Sequence, residues 1–463
     1  MTILPGETMR TPRLTMMAYA GDEAHGRNLY RHWYFAHVLP RENGKPLEPM
    51  LCLHLFGDGG AEFTQTTAEN QLKAIDTYVN RGMTPDVWWI DAGWYPCAGD
   101  WTKLGLWEHD PERFPDGLTP IGKRCEKYGT RFLLWMEPER VVSRKAGIWV
   151  EHPEWTLETD GAVENGGPSL LDIGIPECCD WLIDHVDTLI KKYHVHVYRQ
   201  DFNTAPAMFW ERNETEDRIG AKENLHVQGY LRYWDTLIAR NPGLWIDSCA
   251  SGGRRNDPDT MRRAVTLHYT DVGYGNHPIK QKQYRLMFEW IPYFRAHNMS
   301  WDLDDGTYKD IYGCGTPRSV DRFAFHCALA PALTNMTTFD GPEEEYETAR
   351  VMLPIWRRAA EIELRADYYP LTECNKDAHD FYAMQFDDPD TGEGFVQVIR
   401  NTLAEEDTFM LRMEALDGEA EYFFENMETG DMMQLSGEQL AAGIPLTLEK
   451  RSGVVWFYHK VSL

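Results

Sequence analysis

Between residues 50 and 365 the chain repeats one unit: a short apolar run, a polar loop, then an amphipathic stretch of helical period. The apolar runs are MLCLHLF (50–56), DVWWIDA (86–92), RFLLWME (131–137), SLLDIG (169–174), VHVYRQDF (195–202), LWIDSCA (244–250), TLHYTD (266–271) and MSWDLD (299–304). TAENQLKAIDTYVNRG, PECCDWLIDHVDTLIKKYH and QYRLMFEWIPYFRAHN have helical spacing, and the first sets Leu72, Ile75 and Val79 on one face. Strands alternating with helices of this length build parallel βαβ units. Eight such strands predict a (β/α)8 TIM barrel in preference to an open doubly wound sheet. No G-x-G-x-x-G follows the first strand, which weakens a dinucleotide-binding alternative.

The texture changes after YYPLTECNKDAHD. DFYAMQFDDPDTGEGFVQVIRN, FMLRMEALDG, AEYFFENMETGD and GVVWFYHKVSL are short strands separated by turn residues, the pattern of a small antiparallel β-sandwich. The expected division is an N-terminal segment packing on the barrel (1–49), the barrel itself (50–368) and a C-terminal β domain (369–463). In the N-terminal segment GETMRTPRLTMM is compatible with a strand and HGRNLYRHWYFAHVL with a short helix.

Barrel chemistry is carried on the C-terminal ends of strands. Those ends hold Asp91, Glu137 and Glu139, Asp172, Asp201, Asp247, Asp271, and Asp302, Asp304 and Asp305. An acid at such a place also caps the following helix, so any one of them alone is ambiguous. A whole ring of them suits either a metal or the general acid and nucleophile work of sugar chemistry. Few His stand at strand ends and H-E-x-x-H is absent, so no metal or other cofactor is expected. Seventeen Trp, several beside these ends, serve equally as core or as flat faces for sugar rings. In RQDFN, Arg199, Asp201 and Asn203 share one strand face, and CASGGRRND sets Gly252 and Gly253 beside Arg254 and Arg255.

A formal charge of -27 argues against nucleic acid and anionic membranes as partners. Nine Cys without framework spacing, several inside apolar runs, read as reduced thiols. With no apolar core in MTILPGETMRTPRLTMM and no membrane-length apolar stretch, a cytoplasmic protein is the expectation.

The ordered motifs DAGW (91–94), WMEPE (135–139), HPEW (152–155), LLDI (170–173), RQDFN (199–203), CASGGRRND (249–257) and TD (270–271) resemble glycoside hydrolase family 36, the melibiase-like α-galactosidases, without their usual large N-terminal β-sandwich. The resemblance runs from about residue 10 to 340. It implies a retaining α-glycosidase acting through a covalent glycosyl-enzyme, with Asp201 as nucleophile and Asp271 as general acid/base. A retaining pair stands about 5–5.5 Å apart. It implies sugar-binding roles for Asp91, Trp94, Trp135, Glu137, Arg199, Asn203, Cys249, Gly252 and Arg254. The partner implied is an α-galactoside or related carbohydrate, with a homo-oligomer left open.

The departures fall on expected substrate contacts. Ala92 replaces the second Asp of the family's Asp-Asp-Gly-Trp, Arg199 its Lys, Gln200 the Trp beside the nucleophile, and Gly166 an Arg ahead of the LLD aspartate. An α-N-acetylgalactosaminidase, an α-galactosaminidase or a galactosyl-transferring relative are the sibling alternatives. A sugar-binding barrel without turnover is the alternative from another class.

Overall fold

The computed structural model describes residues 2–42, 44–55, 63–105, 107–142, 147–159, 167–267, 270–271, 275–300, 319–373 and 378–461. Its central sheet has seven parallel strands in the order Trp245–Ser248, Val197–Gln200, Arg131–Met136, Val87–Ile90, Met50–Leu53, Ala332–Thr334, Arg295–His297. Val265 bridges Asp247 in parallel and Leu267 N donates to Asp247 Oδ1 at 2.9 Å, so residues 265–267, at the start of the TLHYTD run, take the eighth place beside Trp245–Ser248. With helices such as Ala68–Asn80, Pro176–Tyr193 and Ala221–Arg240 between them, the strands form the predicted (β/α)8 barrel.

Two of its strands are not those read from the sequence. Ser169–Leu171 pairs antiparallel with Arg140–Val141 and Thr156–Leu157, in a small sheet within the excursion after Arg131–Met136. A short apolar run looks alike in a barrel wall and in such an excursion. Asp172 consequently leaves the ring of acids: it is buried and accepts from Lys222 Nζ at 2.5 Å. The helix read through QYRLMFEWIPYFRAHN ends at Trp290, just ahead of Pro292, and Arg295–His297 is a barrel strand. The last barrel strand, Ala332–Thr334, lies in a run read only as apolar core. Of MSWDLD only Met299 and Ser300 are described; Asp302, Asp304, Asp305, His268 and Gly166 lie outside the described residues.

GETMRTPRLTMM forms no strand, whereas Glu23–His37 is a helix capped by the Asp22 side chain. Its Arg31, almost fully buried, donates to the carbonyls of Phe288, Glu363 and Ala366. That junction also holds Glu363, the last residue of the Glu343–Glu363 helix, with neither carboxyl oxygen hydrogen-bonded. C-terminally, a six-stranded antiparallel sheet begins at Asp367–Pro370 and is centred on the hairpin Phe381–Asp388/Glu393–Arg400 and on Ser452–Lys460. A two-stranded sheet of Thr408–Leu411 and Ile444–Thr447 accompanies it, with its own apolar core around Val398, Leu411, Phe424 and Leu440. Phe288 of the barrel packs on Tyr368 and Phe386, so one face of the C-terminal sheet shares the barrel's core. Among the described residues no helix is long and apolar enough to cross a membrane.

Candidate active site

Parallel pairing puts Trp135, Arg199 and Asp247 side by side, so all three face the barrel interior. Two residues beyond Arg199 on the same face, Asp201 emerges at the strand's C-terminal end and is 7% exposed. Its Oδ2 accepts from Trp135 Nε1 at 3.1 Å and from Asn203 Nδ2 at 2.8 Å. Its Oδ1 accepts from the backbone N–H of Phe202 at 2.7 Å and of Ser251 at 3.1 Å. Burial pushes the carboxyl pKa up. The Arg199 charge and bonds from Asn203, Cys249 and Phe202 outweigh it and hold Asp201 below the usual aspartate value.

Arg199 is fixed from two sides. Nη1 donates to Asp247 Oδ2 at 2.5 Å, and the guanidinium lies 4.9 Å from the centre of the Trp89 ring. Burial opposes its charge, but Cys249, Asp247, Asp91 and Asp201 around it hold it firmly protonated. The Cys249 thiol, 2% exposed, is pushed far up by burial, with Asp201 and Asp271 adding and Arg199 opposing. Cys249 thus sits within the field of both acids.

Asp271 comes from the next loop round the barrel and is half-buried. Gly252 meets that loop at φ +82°, and a Cβ there would lie 2.8 Å from Thr270 Cα and 3.1 Å from Asp271 N. Only glycine allows both the left-handed backbone and the close approach. Buried Lys280, in the first turn of the His277–Trp290 helix, feels the Asp271 charge. Burial pulls its ammonium down to about 7, Asp271 opposing and Arg295 adding.

A model of the family described as Melibiase matches residues 28–280. The chain belongs to the melibiase family. Alpha-galactosidase C of Emericella nidulans is 26% identical over 275 residues, 57% of this chain and 34% of that protein. Alpha-galactosidase AgaA of Geobacillus stearothermophilus is 24% identical over 260 residues, 56% of this chain and 35% of that protein. A crystal structure of a variant of that GH36 enzyme with raffinose superposes with a TM-score of 0.77 at 18% identity, covering 95% of this chain and 59% of the other. At that identity the superposition shows the barrel and sandwich fold. The chain spans about a third of those two sequence relatives and under two thirds of the solved structure.

Within this melibiase-family barrel Trp135, Arg199, Asn203 and Cys249 act on Asp201, Gly252 lies against the Thr270–Asp271 backbone, and Asp91 acts on Arg199. Three other expected contacts stand elsewhere. Trp94 is fully buried, donates to the Trp135 carbonyl at 2.8 Å and meets Tyr95 and Tyr193 edge-on, away from the cup. Glu137 accepts with both oxygens from Arg140, at 2.7 and 2.6 Å, and from the Asn203 backbone N–H and Nδ2, so it orients the Asn203 amide that holds Asp201. Burial raises its pKa, with Arg140 opposing. Exposed Arg254 turns back on its own loop, to the carbonyls of Ala250 and Phe202 and to Ser251 Oγ.

Gln200, read as a substrate contact, points the opposite way. On a period-2 strand it faces the helices, donating to Glu139 at 2.7 Å and accepting from Trp234 Nε1 at 2.6 Å. Glu139 joins it there, clamped by both Arg255 nitrogens at 2.7 Å and by His226 Nε2 at 2.8 Å. Part of the Trp surplus is packing: Trp88, Trp94, Trp234 and Trp356 are fully buried.

Ser251 was not foreseen. It holds φ +46°, gives its N–H to Asp201 and its hydroxyl to Asn203 Oδ1 at 2.8 Å. A non-glycine residue in that region stores strain, a usual mark of a site, but no sequence signal announces the φ. Arg295, a charge within an apolar run, was legible in principle; it lies 4.1 Å from the Trp89 ring, and the Arg199 guanidinium also packs on that ring.

Proposed function

We propose that this melibiase-family chain is a retaining α-glycosidase of α-galactosidase-like specificity. Asp201 attacks the anomeric carbon of a bound α-glycoside while Asp271 gives a proton to the departing oxygen. The C–O bond to the leaving group breaks as the glycosyl–Asp201 ester forms. In the second half Asp271 takes a proton from water, the water oxygen bonds to the anomeric carbon and Asp201 leaves as carboxylate, so the α configuration returns. Arg199, Asp91 and Trp135 orient the sugar and the nucleophile.

The observation that carries the reading is the setting of Asp201. A buried carboxylate with four hydrogen bonds and an adjacent guanidinium is kept ionised and aimed, as a nucleophile must be. The relatives named as α-galactosidases support the galactose class. Ala92, which puts a methyl where the family pattern has a carboxylate, favours a sibling glycone as the second reading.

Asp201→Ala is expected to abolish turnover of aryl α-galactosides and to regain part of it with azide, releasing the β-galactosyl azide. Wild-type rates in that variant would place the nucleophile elsewhere. A panel of aryl galactosides, N-acetylgalactosaminides, galactosaminides, glucosides and arabinosides, with the released anomer followed by NMR, fixes the glycone. Cleavage of none of them would leave a binding barrel.

A further inference from the structure

Three chain segments hold the carboxylate of Asp201, and each turns other residues to the rear of the barrel wall. On Val197–Gln200 and its continuation, Asp201 and Asn203 face the cup, while Gln200 and Phe202 face the helices. At the end of Arg131–Met136, Trp135 donates to Asp201 and Glu137 holds Asn203, while Glu139 lies behind them with Gln200 and His226. In the loop after Trp245–Ser248, Ser251 serves Asp201 and Asn203, while Arg255 reaches back to Glu139.

The rear sides meet in one ion pair. Glu139 is fully buried, and its two oxygens accept from Arg255 Nη1 and Nη2 at 2.7 Å each. The same oxygens accept from Gln200 Nε2 at 2.7 Å and His226 Nε2 at 2.8 Å. Burial opposes both charges, yet Arg255 and His226 keep Glu139 a carboxylate and Glu139 keeps Arg255 protonated. The guanidinium also packs on two rings, 4.2 Å from the centre of Phe202 and 4.5 Å from that of Tyr230. Phe202 follows Asp201 in the chain and gives that carboxylate its own N–H.

Ser251 depends on this tie more than its neighbours do. The Cys249 N–H bonds the Gln200 carbonyl at 2.8 Å, so strand pairing fixes the start of the loop. Beyond it the bonds run largely within the loop: Ala250 N to the Gly252 carbonyl, and Arg254 to the Ala250 carbonyl and Ser251 Oγ. Arg254 adds a 3.3 Å contact to the Phe202 carbonyl. The Arg255 fork is the charged link from this loop to the segments that carry Trp135 and Asp201.

We propose that Arg255 is a positioning residue for Asp201: its two bonds to Glu139 fix the loop from which Ser251 aims that carboxylate. This role rests on the reading of Asp201 as the attacking group. A lysine at 255 keeps the charge but loses both the fork and the flat face that meets the two rings. A nucleophile displaced by about 1 Å reacts on the order of 100-fold more slowly. A carboxylate that loses N–H bonds also binds its proton more tightly.

The test compares the full-length protein with its Arg255→Lys and Glu139→Gln variants, each labelled at tryptophan nitrogen. The Trp135 indole N–H, bonded to Asp201 Oδ2, reports the place of that carboxylate without turnover. The Trp356 indole N–H, bonded to the Ala330 carbonyl at 2.8 Å, reports the fold. Trp135→Phe and Trp356→Phe assign the two resonances. Both variants are expected to displace the Trp135 resonance and to leave Trp356 in place. For Arg255→Lys with aryl α-galactosides, kcat is expected to fall about 10–100-fold while KM stays within about twofold. The acid limb of its kcat/KM profile is expected to move to higher pH. An unmoved Trp135 with wild-type kcat in Arg255→Lys overturns the proposal, since charge alone then suffices. Trp135 and Trp356 displaced together, with the acid limb unmoved, overturn it as well, because the ion pair then supports the fold as a whole. Trp135 displaced alone, in a protein whose wild type cleaves no glycoside, upholds the tie to Asp201 and removes the proposed reaction.

Discussion

Replacing Glu363 by Gln should remove a large part of the alkaline loss of stability. Glu363 is fully buried at the junction of the N-terminal helix, the barrel and the C-terminal sheet, with neither oxygen hydrogen-bonded. Burial pushes its pKa from 4.5 up to about 8, with the Arg31 charge pulling the other way. Between those values the folded chain holds a proton that the unfolded chain has released. Unfolding then releases a proton, so stability is greatest below about pH 4.5 and falls as pH rises towards 8. At about 1.36 kcal/mol per pKa unit, the loss across that window is on the order of 3–5 kcal/mol. The Gln amide keeps the shape and does not titrate; its unpartnered N–H₂ costs about 1–3 kcal/mol at every pH. Urea midpoints of both proteins between pH 5 and 9 should converge or cross as pH rises, while the self-repulsion of a highly acidic chain acts on both alike. Midpoints that fall in parallel would refute a neutral Glu363 in the folded protein.

Gly252→Ala should cut turnover and lower the melting temperature together, because a methyl at φ +82° would press on the Thr270 backbone; unchanged kinetics would mean that the contact does not set the position of Asp271. Activity should be lost on the acid side only below about pH 4, as Asp201 is protonated through a pKa held under its ordinary 3.8; an acid limb in kcat/KM near pH 6 would require another group for the nucleophile. Gln200→Ala should lower stability by about 1–3 kcal/mol, by unpairing Trp234 Nε1 and one Glu139 oxygen, and leave KM for aryl glycosides unchanged; a shifted KM would return Gln200 to the substrate.

The barrel was legible because its signal is repetitive. Six of its eight strands stand out as apolar runs closed by an acid or a small residue, and an error in one leaves the count intact. Two of the three misread places share a cause. Ser169–Leu171 and Ala332–Thr334 are equally short and apolar, and only long-range pairing decides which of them is in the wall. Asp201, Arg199 and Asn203 were legible as a group because strand period alone puts them on one face. The same period should have turned Gln200 away from the substrate, but a comparison of motifs carries no facing. Trp94 and Glu137 were misjudged for a related reason: a motif residue can serve the site by holding another residue, as Glu137 holds Asn203. Ser251 was hidden because its contribution is a backbone N–H at an unusual φ, which no side-chain type announces.

The meeting of Gly252 with Thr270 also bears on timing. In the proposed cycle Asp201 passes from carboxylate to ester and back while Asp271 loses and regains a proton, so every charge-dependent contact between the two loops changes at each step. A gap held by charge would breathe with the reaction. Here one loop approaches the other through a glycine that leaves no room for a Cβ, an approach of backbone to backbone that has no dependence on protonation or on the bound glycosyl group. The seat of the Asp271 backbone against the Gly252 loop is therefore the same for the forming and the breaking of the intermediate, and it depends on the absence of one methyl group.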